Sequence, residues 1–390
     1  MGKLNMVQYP KQVMRNVLYL GATPSILTVR QRIAGVRRYM KSSQWDVRLV
    51  EIPQTTAHLR ETLAKWNPLG CIVERGASVG KSPTRLVEGI PAVFCDPAES
   101  GGSRAFWSVR HDAAATTAMA FDELRRLNPR HYAFVRDPRN LAWSREREQA
   151  FVRLVRQAGA AVDVLDIDAR LSDALSALPK PCGIFAANDD TARATINAAV
   201  LAGLDLPDDL QSVGVNNDTF QCENAEPTLT SVQPDFEYSG YLAMETLHRI
   251  IVNRRLKPKM LAFGPLATVR RASTRLLPQK DARVTKALDI IAANYADPRL
   301  TTTSIARQAN CSRRLLDLRF REITGRSVRE ELRAARLAAA KRLALDPTRN
   351  LSQIPSLCGC SSNGSFLAFF KAETGLTLSE FRRKKKSSRR

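Results

Sequence analysis

Acidic residues are in short supply: the 390-residue chain has 38 Asp and Glu against 60 Lys and Arg, a formal net charge of +22. Histidine is scarcer still. The four present, His58, His111, His131 and His248, lie far apart, so the clustered imidazoles of catalytic zinc and the paired His of a nucleophilic triad are not expected. Seven cysteines stand at 71, 95, 182, 222, 311, 358 and 360 with no CxxC pair. An odd number without metal spacing predicts free thiols in a reducing compartment. No run approaches the roughly 18 apolar residues of a membrane span, and the N-terminus lacks an apolar stretch of signal length. A cytoplasmic location away from membranes is therefore expected. Walker loop, HExxH, G-x-S-x-G elbow and Rossmann fingerprint are all missing, so no cofactor, metal site or catalytic residue is expected, and the chain is not read as an enzyme.

What is present is an ordinary apolar fraction, 44%, and a misplaced excess of positive charge. From Asp281 to Arg390 there are 23 basic and 10 acidic residues; the first 280 hold 37 and 28. A surface for a polyanion, most simply double-stranded DNA, is thus expected at the C-terminal end.

Residues 1–14 read as a tail. From Asn16 short apolar runs alternate with helical periodicity. Val17–Leu20, Val47–Ile52, Cys71–Val73 and Pro91–Phe94 read as strands, with helices over Val29–Met40, Ala57–Trp66 and Asp112–Leu127. The pattern restarts with strands at Tyr132–Val135, Val162–Ile167, Gly183–Ala187 and Ser212–Val215, and helices at Ser144–Ala158, after Asp190, and over Phe236–Asn253. Alternation of this kind predicts an α/β fold of two lobes, each a doubly wound parallel sheet. Ligands in such sheets sit beyond the carboxyl ends of strands, so the polar runs Asn188-Asp189-Asp190 and Asn216-Asn217-Asp218 matter more than polar residues elsewhere. Residues 276–283, with Leu277-Pro278-Gln279-Lys280, read as a linker. After it only helical periodicity remains, giving an all-α domain at 284–383 and a basic tail at 384–390, expected to lie outside regular structure.

Two segments of that last domain share a layout. Thr301–Ala309 is a short helix, Asn310-Cys311-Ser312 a turn, and Arg313–Thr324 a helix stopped by Gly325; Ser352–Cys358, Gly359–Ser362 and Asn363–Thr374 with Gly375 repeat it. Each is a helix-turn-helix, joined by the Ala- and Leu-rich Glu330–Leu345. Exposed candidates for DNA contact are Arg313, Arg314, Asp317 and Arg321 on the first reading helix, and Ser362, Asn363, Ser365 and Lys371 on the second. Arginine pairs bidentately with guanine, and lysine meets phosphate. Leu315, Leu316 and Phe320 are expected in the core. Together with Ile305-Ala306, Arg336-Leu337, Cys358-Gly359, Phe369-Phe370-Lys371 and Ser379-Glu380-Phe381-Arg382, the layout resembles the AraC-type DNA-binding domain over about 284–383. Pro355 and Cys360 depart from that pattern.

The α/β part, about 15–275, resembles the sensor of LacI-type repressors and periplasmic sugar-binding proteins. The stretches that carry this are Arg30-Gln31 with Gly35-Val36, Trp143 with Glu146-Arg147-Glu148, Asp189, and Val213-Gly214-Val215-Asn216-Asn217. A sensor of this kind ahead of an AraC-type domain is the arrangement of XylR-type regulators of xylose operons. The resemblance implies a sugar effector, D-xylose or a related pentose, held by Arg30, Trp143, Arg147, Asp189 and Asn216. Planar Asp, Asn and Arg groups bridge neighbouring hydroxyls, and an aromatic ring covers the apolar face of a pyranose. Asn216 stands where the family has Asp. The resemblance further implies a homodimer and activation of catabolic genes, with RNA polymerase as a candidate partner. The rival readings are an α/β sugar-processing enzyme, a transport binding protein, and a DNA binder whose sensor has degenerated.

Overall fold

A computed structural model describes residues 15–21, 27–40, 45–51, 55–74, 87, 89–97, 106–139, 141–275, 281–346, 349–360 and 362–387. The N-terminal tail, Leu277–Lys280 of the linker, Ser361 and 388–390 lie outside these. By compactness the chain forms two units: Met1–Ala115 with Pro234–Pro265, and Thr116–Gln233 with Leu266–Arg390.

The first unit contains β1 (Arg15–Gly21), α1 (Leu27–Met40), β2 (Trp45–Glu51), α2 (Thr56–Trp66), β3 (Gly70–Glu74), β4 (Ala92–Cys95) and β5 (Trp107–His111). The second contains α3 (Ala113–Arg125, entering from the first), β6 (His131–Val135), α4 (Ala142–Gln157), β7 (Val162–Leu165), α5 (Leu171–Ala177), β8 (Cys182–Ala186), α6 (Asp189–Leu201), β9 (Leu210–Val215), α7 (Thr219–Glu223) and β10 (Thr230–Pro234). The chain then adds α8 (Phe236–Val252) and β11 (Met260–Phe263) to the first unit and β12 (Pro265–Val269) to the second. The sheet orders are β11-β5-β4-β3-β1-β2 and β12-β10-β9-β8-β6-β7. Both follow one doubly wound plan, with the switch in order at β1/β3 and at β6/β8.

Parallel strands covered on both faces are apolar at every position, and successive side chains feed opposite layers. Val17 and Tyr19 pack with α1 and α8, whereas Leu18 and Leu20 pack with α2. In the second sheet Ala133, Val135 and Ile184 face α5 and α6, while Tyr132, Phe134 and Phe185 face α3 and α4. Strands β5, β10, β11 and β12 escaped the sequence reading: each has only four or five residues, too few for a period to stand out, and in β5 and β10 polar residues interrupt the apolar run.

From Ala282 every element among the described residues is helical: α9 (Ala282–Asn294), α10 (Thr302–Gln308), α11 (Arg313–Thr324), α12 (Val328–Leu345), α13 (Ile354–Leu357), α14 (Asn363–Thr374) and α15 (Leu378–Ser387). Helix α15 runs through the first part of the basic tail, correcting the expectation that 384–387 lie outside regular structure. Its start is fixed by Glu380, which accepts from the Thr377 backbone N–H at 2.8 Å.

Candidate functional site

Each reading helix is built by the same local rules. Ser312 caps α11 by accepting from the Leu315 N–H, and Ser362 caps α14 by accepting from the Ser365 N–H. Gly325 (φ 72°) and Gly375 (φ 70°) end them in the left-handed conformation that glycine adopts without penalty. The inward stripes are Leu316, Phe320 and Ile323 on α11, and Phe366 and Phe370 on α14. They belong to separate cores, and α12 bridges the two: Val328 and Leu332 enter one, Ala339, Ala340 and Ala344 the other. At about 1.5 Å per residue an 18-residue helix is a rigid spacer of about 27 Å.

The outward faces carry the expected polar groups. Arg313, Arg314 and Arg321 are exposed, as are Asn363, Ser365 and Lys371. Asp317 is half-buried, 3.8 Å from the Arg313 guanidinium. Ser362 is exposed, but its hydroxyl oxygen is the α14 cap. Leu315 is 37% exposed, so its expected place in the core is corrected: it lies about 100° around α11 from Leu316. Leu318, 55% exposed, went unnoticed in the sequence. Several arginines serve structure instead. Arg382 donates to the carbonyls of Ala344, Asp346 and Arg349, and Arg336 to those of Tyr295 and Asp297, closing helix ends that would otherwise leave acceptors unmet.

The polar cluster of the second α/β lobe gathers at its switch point. Asp137 follows β6 and Asn188 follows β8; the Asn188 amide donates to Asp137 at 2.8 Å, and Asn188 also caps α6. Arg147 is 4% exposed, donates to the Ala187 carbonyl at 2.5 Å, and lies 4.8 Å above the Trp143 ring, a cation–π contact. Trp143 is half-buried. Asn216, directly after β9, is half-buried with φ 119°, and its N–H donates to the Val232 carbonyl. Trp143, Arg147 and Asn216 are thus all in this lobe. The sequence reading passed over Asp137 and did not carry Asn188 forward as a site residue, although both closely follow strands.

Two expectations change. Asp189 is 1% exposed, with one oxygen accepting from the Ser231 hydroxyl (2.6 Å) and the other from the Asp218 N–H (2.7 Å). It therefore positions the loop after β9 rather than facing a sugar. Burial pushes its pKa up to about 6, against the pull of the Ser231, Asp218 and Cys222 contacts. Folding thus favours the protonated form, so its stabilising contribution is full below about pH 4 and is lost as pH rises through about 6. Asp189→Asn is expected to flatten that part of the stability curve, because the Ser231 hydroxyl can turn to accept from the new amide. Thermal melts from pH 4 to 7 check this; an unaltered pH dependence would contradict it.

Arg30 is exposed on α1. The buried arginine of that helix is Arg32, which the sequence reading did not single out. It donates to Glu74 (3.0 Å), Asp96 and Ser239 (2.9 Å) and lies 5.1 Å from the Phe236 ring centre, while the Tyr19 hydroxyl donates to Glu74 at 2.5 Å. Glu74 and Asp96 stand at the carboxyl ends of β3 and β4, so this is the first lobe's polar cluster.

Comparison with known proteins finds two separate family matches along the chain. Residues 121–274 match the periplasmic binding protein-like domain family, and 305–384 a helix-turn-helix domain family. The xylose operon regulatory protein of Escherichia coli K12 is 25% identical over 375 residues, covering 90% of this chain and 93% of the relative. The structure of a xylose-binding transcription activator superposes with a TM-score of 0.58 at 23% identity, over 94% of this chain and 97% of that one. A lac repressor dimer bound to operator and an anti-inducer superposes at 0.54 and 17% identity, over 68% of this chain and 96% of that one. The chain is a DNA-binding transcriptional regulator that carries a periplasmic-binding-protein-like domain ahead of a helix-turn-helix domain and is similar over nearly its whole length to regulators of xylose operons.

Proposed function

We propose that this regulator is gated by a small sugar, D-xylose or a related pentose, which binds at Trp143, Arg147 and Asn216, and that binding changes its grip on DNA. One observation carries the proposal: Trp143 and Arg147 open the helix after β6, Arg147 donates to the carbonyl just after β8, and Asn216 follows β9, all beyond carboxyl ends of strands in one doubly wound sheet, in the same chain as two outward-facing reading helices. The arginine–tryptophan stack offers a flat apolar surface beside fixed N–H donors, which suits the mixed face of a pyranose. Asn216 supplies both a donor and an acceptor where a carboxylate would only accept.

The sugar shifts the protein only by its difference in affinity between two states. A homodimer places two double helix-turn-helix domains on one duplex, as suits activation of catabolic genes with RNA polymerase as partner. Arg313, Arg314 and Arg321 reach base edges or phosphates, and Asn363, Ser365 and Lys371 make the second set of contacts. Binding rather than turnover is the activity, in the cytoplasm.

Two measurements test this. A thermal-shift screen of pentoses and hexoses is expected to single out one sugar that stabilises the sensor; Arg147→Ala abolishes the shift. Flat melting curves with every sugar would sink the gating proposal. Arg314→Ala is expected to cost about 1–3 kcal/mol in affinity for duplexes selected from a randomised pool, and to relax preference at one guanine. A uniform loss across sequences would make Arg314 a phosphate contact instead.

A further inference from the structure

We infer that Asp289 is a positioning residue through which the sensor sets the DNA-binding domain, at the end of a polar chain that begins at Asn217. The inference rests on the regulator reading above and names the groups that would carry its signal.

The chain starts beside the proposed sugar contact. Asn216 and Asn217 both have positive φ, 119° and 51°, a pair of conformations that asparagine tolerates but that must be held in place. Asp189 and Ser231 hold one side of this loop: the Asn217 N–H donates to the Ser231 hydroxyl at 3.0 Å. Arg271 holds the other side. It is 1% exposed; one guanidinium nitrogen donates to the Asn217 side-chain oxygen at 2.9 Å, another to the Leu229 carbonyl at 3.0 Å.

Arg271 leads into the single helical turn Ala272–Thr274, which is tied to Thr228. The Ser273 N–H donates to the Thr228 carbonyl (2.9 Å) and the Ala272 N–H to its hydroxyl (3.2 Å). That hydroxyl in turn donates to Asp289 on α9 at 2.6 Å, and Arg275, at the end of the same turn, pairs with the other Asp289 oxygen at 2.7 Å. Both side chains of this ion pair are less than a fifth exposed. At its other end α9 reaches a reading helix: its cap Asp281 accepts from Arg319 of α11 at 3.2 Å.

A cavity of about 760 Å³ runs along this seam, lined by polar Thr228, Arg271, Arg275 and Asp289 and by apolar Pro227 and Ile290. The polar links bridge it and so help to set the docking of α9. A buried guanidinium cannot let go of one partner without leaving a donor unmet. A ligand that moves Asn216 and Asn217 thus draws Arg271 with it, and the Thr228–Arg275 grip on Asp289 shifts in step.

A hydrogen bond chain by itself is not coupling; a mutant cycle is the evidence that counts. Hydrogen exchange by mass spectrometry is followed on the full chain, on Asn217→Ala, on Asp289→Asn and on the double variant. Asn217→Ala is expected to speed exchange across Val284–Ile291 roughly five- to ten-fold, although Asn217 lies on the loop after β9 and not on that helix. Asp289→Asn does the same, and the double variant is no faster than Asp289→Asn. Unaltered α9 exchange in Asn217→Ala, or two effects that add, overturns the inference and leaves the regulator reading intact. Thr228→Val, which removes the hydroxyl with its links to Ala272 and Asp289 and leaves the Arg275–Asp289 pair, repeats the cycle should Asp289→Asn fold poorly.

The second readout is functional. Duplex selected from a randomised pool is titrated with and without D-xylose. Asp289→Asn is expected to keep DNA affinity and keep the stabilisation of the sensor by D-xylose, yet lose the sugar-dependent change in DNA affinity. A retained change overturns the inference. If D-xylose alters nothing in the unsubstituted protein, the sugar reading falls, and the exchange cycle still decides whether Asn217 and α9 are coupled.

Discussion

Gly240→Ala is expected to unfold the first lobe, not merely weaken it. Helices α1 and α8 touch backbone to backbone, and two glycines make that approach possible. A β-carbon on Gly240 would lie 1.9 Å from the Arg32 carbonyl oxygen, and one on Gly35 would lie 1.8 Å from the Glu237 carbonyl oxygen. Neither obstacle is a flexible side chain, so no rotamer change relieves the overlap. Overpacking that side chains can absorb costs about 1–3 kcal/mol. Here two helices that cover one face of the sheet must separate by more than 1 Å, opening the layer of Val29, Val36, Ala243, Met244 and Leu247. The loss should approach the whole stability of an ordinary domain, about 5–15 kcal/mol. Gly364→Ala is the matched control: it sits on helix α14 with nothing within 4 Å of the added carbon, and should stabilise by about 0.5–1 kcal/mol. Denaturant unfolding of both variants checks the pair. A Gly240→Ala protein with native cooperativity and near-native midpoint would show that the two helices do not pack this closely.

Arg32→Met is expected to be the next most damaging substitution, costing about 3–5 kcal/mol at neutral pH. The methionine fills the volume but leaves Glu74 and Asp96 buried without their cation. In the unsubstituted protein burial alone would raise the Asp96 pKa. The Arg32 charge outweighs that, with help from His111, and holds it below the ordinary 3.8. That stabilisation is present above pH 3.8 and is lost as pH falls through the depressed value. With Arg32 gone, burial is left largely unopposed and the sign reverses. Asp96 now gains stability by taking up a proton, so the variant recovers on acidification from neutral pH. The gap between the two proteins should narrow steadily below pH 7, as read by urea unfolding at each pH. A gap independent of pH would mean that Arg32 acts through packing on Phe236 and Phe263, whose rings lie 5.1 and 5.8 Å away, more than through charge.

The two clusters differed in how far the sequence revealed them. Trp143, Arg147 and Asn216 came from the resemblance to LacI-type sensors, and the structure places them on the helix after β6 and the loop after β9. Asp189 came the same way, and neither resemblance nor spacing tells an outward carboxylate from one turned in toward Ser231. Arg30 was preferred to Arg32 on one helix, where two residues in sequence are about 200° in direction. Only packing against β3, β4 and α8 shows which of them is buried.

Periodicity, charge placement and helix-stop signals by themselves determined the α/β alternation, the helical C-terminal domain and the outward set Arg313, Arg314 and Arg321, because these follow from local rules that a few neighbouring residues satisfy. Tertiary structure alone decided that Gly35 meets α8, that Arg32 joins Glu74 to Asp96, and that Arg271 joins Asn217 to the turn gripping Asp289. Those contacts pair residues tens to hundreds of positions apart, and burial makes them strong by removing competing water, a condition no local stretch of sequence contains.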